Sequence, residues 1–168
     1  NERGRCRARG GGADGHPRNG VSVNLRRRSD GEVRAYFDGM AAALREKGEF
    51  EEAFKAIGRL EKSSKDGRFS QAIRDERALI SSSRKKQSDD LFLEGLVAYR
   101  LKEYDRAYSL FDASEAMGGG ENAAVMKGAA LLSGGETAQA RELFSGITSS
   151  RKGEYKEEAG YFVSQIDD

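Results

Sequence analysis

Residues 94–111 read EGLVAYRLKEYDRAYSLF, and residues 127–144 read KGAALLSGGETAQARELF. Laid over one another at an offset of 33 residues, they match Gly95 with Gly128, Ala107 with Ala140 and Phe111 with Phe144, and the turn at 102–104 with the turn at 135–137. Small and aromatic residues recurring at a fixed period of this length point to a repeated helical hairpin. A glycine in the middle of a helix costs about 1 kcal/mol relative to alanine, so Gly95 and Gly128 imply a compensating close approach. A second helix passing near them, with Ala107 or Ala140 meeting the bare backbone, would supply it.

Working outward, an earlier unit is visible in DGMAAALREKGEFEEAFKAI at 38–57. Gly48, Phe50 and Ala53 repeat the turn and the alanine, Ala41 stands where Gly95 does, and Ile57 stands where Phe111 does. The stretch 63–87 fits least. RFSQAI at 68–73 echoes the turn and alanine without the following aromatic, and the 54 residues between Ala53 and Ala107 are not a whole number of repeats. An irregular helix that interrupts or bends the array is expected there.

From about Gly31 onward Ala, Leu, Glu, Lys and Phe recur at helical spacing, with one proline and no tryptophan in the chain. The pattern predicts an all-α domain over 31–168, with helices at 34–47, 50–62, 69–83, 88–102, 104–117, 122–133, 137–148 and 154–166. Gly48, Gly118 and Gly134 or Gly135 read as left-handed helix stops. Ser88 and Asp89 read as the side-chain cap of a new helix. Short connections require successive helices to run antiparallel. In LFLEGLVAYRL at 91–101, apolar residues surround nearly the whole helix, which predicts cover on more than one side. EYKEEAGYFVSQI, with Tyr161, Phe162 and Ile166 on a narrower face, reads as the closing helix of a stack.

These features resemble the tetratricopeptide repeat, whose units of about 34 residues share a small residue midway along the first helix, a Gly/Asp-aromatic turn, then alanine and an aromatic on the second helix. The resemblance covers two clear units in 88–148 and a less regular one in 38–57. Glu94 and Lys127 stand where the family usually has leucine, and GGG at 118–120 replaces the terminal proline. The resemblance implies stacked antiparallel hairpins forming a short right-handed α-solenoid. It also implies a concave groove lined by the first helices, at Asp89, Phe92, Leu96, Tyr99, Arg100, Asn122, Val125, Ala129 and Leu132. That groove would be apolar. Leu96 and Ala129 stand where a clamp for a peptide carboxyl terminus needs asparagine or another polar residue, so an amphipathic helix or extended apolar segment is the expected guest. The competing reading is that Phe92, Leu96 and Tyr99 pack against the 63–87 helix.

Residues 1–30 differ from the rest. Arg/Gly alternation, GGG at 10–12, Pro17 and Arg26, Arg27 and Arg28 leave few apolar residues to bury, and a disordered basic tail is expected. Charge runs along the chain: eight Arg against three acids (+5) in 1–30, 13 basic against 10 acidic (+3) in 31–87, and 8 against 15 (−7) in 88–168. A basic end of this kind can tether nucleic acid or an anionic surface by neutralising phosphates. The tail lacks interleaved aromatics for base stacking.

Chemistry is sparse. His16 is the only histidine and Cys6 the only cysteine, which leaves no His-based triad, no two-histidine metal site and no internal disulfide. Glu51 with Glu52, Asp89 with Asp90, and Glu157 with Glu158 sit where a helix start or a solvated face explains them. GGGADG and MGGGEN lack the lysine and the strand-loop-helix setting of a phosphate loop. No cofactor or metal is expected, and the longest apolar runs fall far short of the ~20 residues that span a bilayer. The expectation is a non-enzymatic adaptor or scaffold for a protein or peptide partner, with a nucleic-acid-associated or anionic-surface-binding protein as the alternative. The compartment stays open.

Overall fold

The computed structural model describes residues 29–63, 67–150 and 153–167. The expected basic tail lies, through residue 28, outside the described residues. Those described form seven α-helices and no strand: α1 (Asp30–Glu46), α2 (Phe50–Ser63), α3 (Ser70–Arg100), α4 (Tyr104–Ala116), α5 (Gly120–Gly134), α6 (Thr137–Ser149) and α7 (Lys156–Asp167). Each helix packs on the one that follows it, and α1 also touches α3. The domain starts earlier than expected. Ser29 accepts from the Glu32 N–H while the Glu32 carboxylate accepts from the Ser29 N–H, a capping box that begins α1 at Asp30.

Three turns share one backbone pattern. Gly48, Lys102 and Gly135 have φ of 77°, 64° and 94°. The next residue in each case is a glutamate whose N–H reaches back five residues: Glu49 to Leu44 at 2.9 Å, Glu103 to Ala98 at 3.0 Å and Glu136 to Leu131 at 2.9 Å. The carbonyls of the same glutamates then accept from Ala53, Ala107 and Ala140 at 2.9–3.0 Å. This is the six-to-one bond of a Schellman stop, run directly into the first turn of the next helix. Gly135, not Gly134, is the residue that carries the left-handed turn.

The mid-helix glycines are explained differently from the expectation. A Cβ at Gly95 would sit 2.6 Å from Cε1 of Phe111, and one at Gly128 would sit 2.7 Å from Cε1 of Phe144. The close approach is therefore made by a phenyl ring from the returning helix. Ala107 and Ala140 are fully buried nearby, but they are not the nearest groups to the glycines.

The expected helices at 69–83 and 88–102 are one helix. Nothing between Ser83 and Ser88 breaks it: the residues are Arg84, Lys85, Lys86 and Gln87, all competent helix formers. Ser88 does not cap. It is buried mid-helix, where its hydroxyl donates to the Ser114 carbonyl at 2.9 Å while the Ser114 hydroxyl donates to the Ser88 carbonyl at 2.9 Å. One turn earlier, the Arg84 guanidinium reaches the carbonyls of Ala116 and Met117 at the C-terminal end of α4, each at 3.1 Å, and Glu51 of α2 at 2.9 Å. A cation there suits the negative end of the α4 dipole.

The core is a chain of three apolar clusters. Val33, Phe37, Ala41, Phe50, Ile57, Leu60, Ile73 and Ile80 join α1, α2 and the first half of α3. Ala98, Ala107, Phe111 and Ala130 join the second half of α3 to α4 and α5. Ala124, Val125, Ala140, Phe144, Ile147 and Ala159 join α5, α6 and α7. Within α7, Phe162 stacks on Phe144 with centroids 4.7 Å apart, and Ile166 packs on the same cluster. Tyr161, expected to share that face, is exposed.

If the phenyl rings set the glycines, then Gly95→Ala and Gly128→Ala will each destabilise the fold by roughly 1–3 kcal/mol through overpacking, despite the gain in helix propensity. Gly39→Ala, with nothing within 4 Å of the new methyl, will stabilise by up to about 1 kcal/mol. Urea-unfolding midpoints test this: equal shifts at all three positions would show that the rings do not constrain the glycines.

Candidate binding surface

The expected groove positions fall on α3 and α5, and their apolar members divide between two clusters. Phe92, Leu96 and Tyr99 lie on one side of α3, each half-buried, and all three rest on the cluster built around Ala107 and Phe111. Phe92 and Phe111 are 5.5 Å apart between centroids. Tyr99 is held from two directions. Its ring meets Tyr104 edge-on at 5.6 Å, and its hydroxyl lies 2.8 Å from Oγ of Ser133 on α5. Since these three residues belong to α3 itself, packing against a separate 63–87 helix does not arise.

The α5 residues are placed differently. Val125 and Ala129 are only 8% and 7% exposed, so they form floor and offer a partner little surface. Val125 and Leu132 belong to the cluster shared with α6 and α7, not to the one beneath Phe92. Asn122 is half-buried and accepts from the Ala123 N–H at 2.9 Å. Asp89 and Arg100 are exposed, and Asp89 pairs with Lys85 one turn earlier at 2.9 Å. An open depression of about 510 Å³ lies elsewhere, between the ends of α4 and α6 and the start of α5, lined by Glu115, Gly118, Glu121, Ala124, Leu143 and Ile147 among others.

Lys127, which departs from the leucine that the resemblance implies, is held by α4. Its ammonium lies between two carboxylates of α4, 3.0 Å from Asp112 and 2.5 Å from Glu115. Burial pulls its pKa down, but the hydrogen bonds and charges of Glu115 and Asp112 outweigh that and leave it above the usual lysine value. The pair holds α4 to α5 where an apolar contact would otherwise be expected. Among the described residues, no group of three or more His, Cys, Asp or Glu is arranged to hold a metal ion, and no helix is long and apolar enough to cross a membrane.

The cover expected all round the 91–101 stretch is missing on one side. Leu93, Val97 and Leu101 are largely exposed, although the surrounding apolar residues predicted cover. Their spacing of four was the available signal, since it places them on one side of the helix. Comparison of the chain with protein-family models, with curated proteins and with solved structures gives no match.

Lys127 gives a pH-dependent prediction. Its folded-state pKa lies above the unfolded one, so the ammonium's contribution to stability is complete at and below the ordinary lysine value and is lost as pH rises through the raised one. Lys127→Leu will change stability at neutral pH by less than about 1 kcal/mol and will flatten the loss of stability at alkaline pH. Chemical denaturation of both proteins across the alkaline range checks this. Parallel curves for the two would exclude Lys127 as the titrating group.

Proposed function

We propose that this chain is a tetratricopeptide-like helical repeat module, a short right-handed solenoid, that works without catalysis as an adaptor. It captures an apolar segment of a partner protein along α3. The repeat reading is supported by the shared hydrogen-bond pattern of the turns at Gly48, Lys102 and Gly135. The binding reading rests on one observation: Phe92, Leu96 and Tyr99 stand half-exposed in a row, above a floor of buried Ala107 and Phe111. Aromatic side chains fixed from beneath and open above are the type that dominates binding energy at protein interfaces. A row at helical spacing suits an amphipathic helix with apolar residues three and four apart. Asp89 and Arg100 flank the row and would orient the guest, while Val125 and Ala129 act as support.

Selection of displayed short peptides on the full chain tests the proposal. The selected peptides should be amphipathic, with apolar anchors at helical spacing, and Leu96→Asp should weaken them about tenfold or more, near 1.4 kcal/mol, with helicity retained. Binding of nucleic acid alone, weakened steeply by salt and by Arg→Ser changes at Arg26, Arg27 and Arg28, would contradict the adaptor reading and favour its alternative.

A further inference from the structure

Leu79, Leu93 and Val97 of α3 and Leu101 at its C-cap are left mainly to solvent, at 48%, 59%, 60% and 63% exposure. With 3.6 residues per turn, Leu79 and Val97 are separated by a whole number of turns, and Leu93, Val97 and Leu101 step by four around them. All four occupy one side of the helix, facing away from the buried row of Ile73, Ile80, Gly95 and Ala98.

The repeat register shows what that side does elsewhere. Thirty-three residues on, Asp90, Leu93, Glu94 and Val97 correspond to Ala123, Met126, Lys127 and Ala130 of α5. Ala123 and Ala130 are buried, Met126 packs on the cluster shared with α4, and Lys127 pairs with α4 carboxylates. The preceding helix thus covers this side of α5. Fifty-four residues back, Leu93, Val97 and Leu101 correspond to Gly39 and Ala43 of α1 and Lys47 at its C-cap, all exposed. The first helix therefore presents small and charged residues to water, whereas α3 presents leucine and valine at the same places. Leucine and valine there fit a surface that is covered.

We propose that a second copy of this chain covers it, with α3 lying antiparallel on α3 about a two-fold axis level with Ser88. Positions 79, 83, 86, 90, 93 and 97 are spaced alternately by four and three, the seam of a coiled coil, and read Leu, Ser, Lys, Asp, Leu, Val. Turned about that axis, Leu79 meets the partner's Val97, Ser83 meets the partner's Leu93, and Lys86 meets the partner's Asp90. Each of these matches is complementary: apolar on apolar, small beside large, cation against anion; Leu101 lies past the end of this seam. Lys86 and Asp90 are exposed, and neither has a charged partner among the described residues. A parallel pair in register would set Lys86 against Lys86 and Asp90 against Asp90, so the charges select the antiparallel arrangement. An isologous contact of this kind closes as a dimer.

Sedimentation equilibrium of the full chain tests the proposal, with circular dichroism to confirm that each variant stays helical. The wild type should sediment at twice the chain mass. Lys86→Glu places acids opposite acids on both sides of the axis and should give the monomer, and adding Asp90→Lys should restore the dimer. In a Cys6→Ser background, Leu79→Cys with Val97→Cys should oxidise to a covalent dimer, whereas Val97→Cys alone should not. A wild type that is monomeric at every concentration overturns the proposal. So does a dimer indifferent to Lys86→Glu, or one not restored by the charge swap.

Discussion

Two serine hydroxyls, each donating to the other residue's carbonyl, hold the middle of α3 against the end of α4. The remainder of the molecule depends on that contact. Had Ser88 turned its hydroxyl to the backbone ahead of it, α3 would have begun there and the first three helical segments would have formed a separate unit. The hydroxyl faces Ser114 instead, and the helix runs on for 31 residues and belongs to two apolar clusters at once. Ile73 and Ile80 anchor its first half to α1 and α2, and Gly95 and Ala98 seat its second half against α4. Arg84 reinforces the junction by joining α2, α3 and the carbonyl end of α4.

Beyond that junction, the spacing between helices is governed by rings on bare backbone. Phe111 over Gly95 and Phe144 over Gly128 are the same contact 33 residues apart, and a side chain larger than hydrogen has no room in either. This contact has a consequence for the candidate surface. Phe111 also carries Phe92 from below, so the ring that sets the α3–α4 distance holds one of the half-exposed residues in the binding row. Packing and presentation are therefore coupled through one side chain. The same geometry leaves the opposite side of α3 without a preceding helix, because α1 and α2 meet α3 earlier along its length.

The parts legible in the sequence were those with a local cause. Turns at Gly48, Gly118 and Gly135 and the buried alanines at 53, 107 and 140 follow from backbone freedom and short-range spacing, whereas the contact of Phe111 and Phe144 with the mid-helix glycines, in place of the expected alanines, does not. The continuity of α3 was not legible, because serine followed by aspartate is an equally good helix start. The group that takes up the Ser88 hydroxyl belongs to Ser114, 26 residues away. The same holds for the site. The resemblance to a known repeat pointed to Phe92, Leu96 and Tyr99 together with Val125 and Ala129, but whether Val125 and Ala129 were lining or floor depended on how closely α5 packs against its neighbours. Cover around Leu93, Val97 and Leu101 was inferred from hydrophobicity alone, and hydrophobicity does not say which molecule provides it.

Native-state hydrogen exchange across Arg84–Asp90 addresses the central point, that one helix passes through the junction. A continuous α3 gives each of these amides an intrahelical partner, so they should be protected together and open with the same free energy as the amides near Ile80 and Ala98. Rapid exchange confined to Lys85–Asp90, with protection on both sides, would mean that two helices meet at Ser88 and would contradict this account.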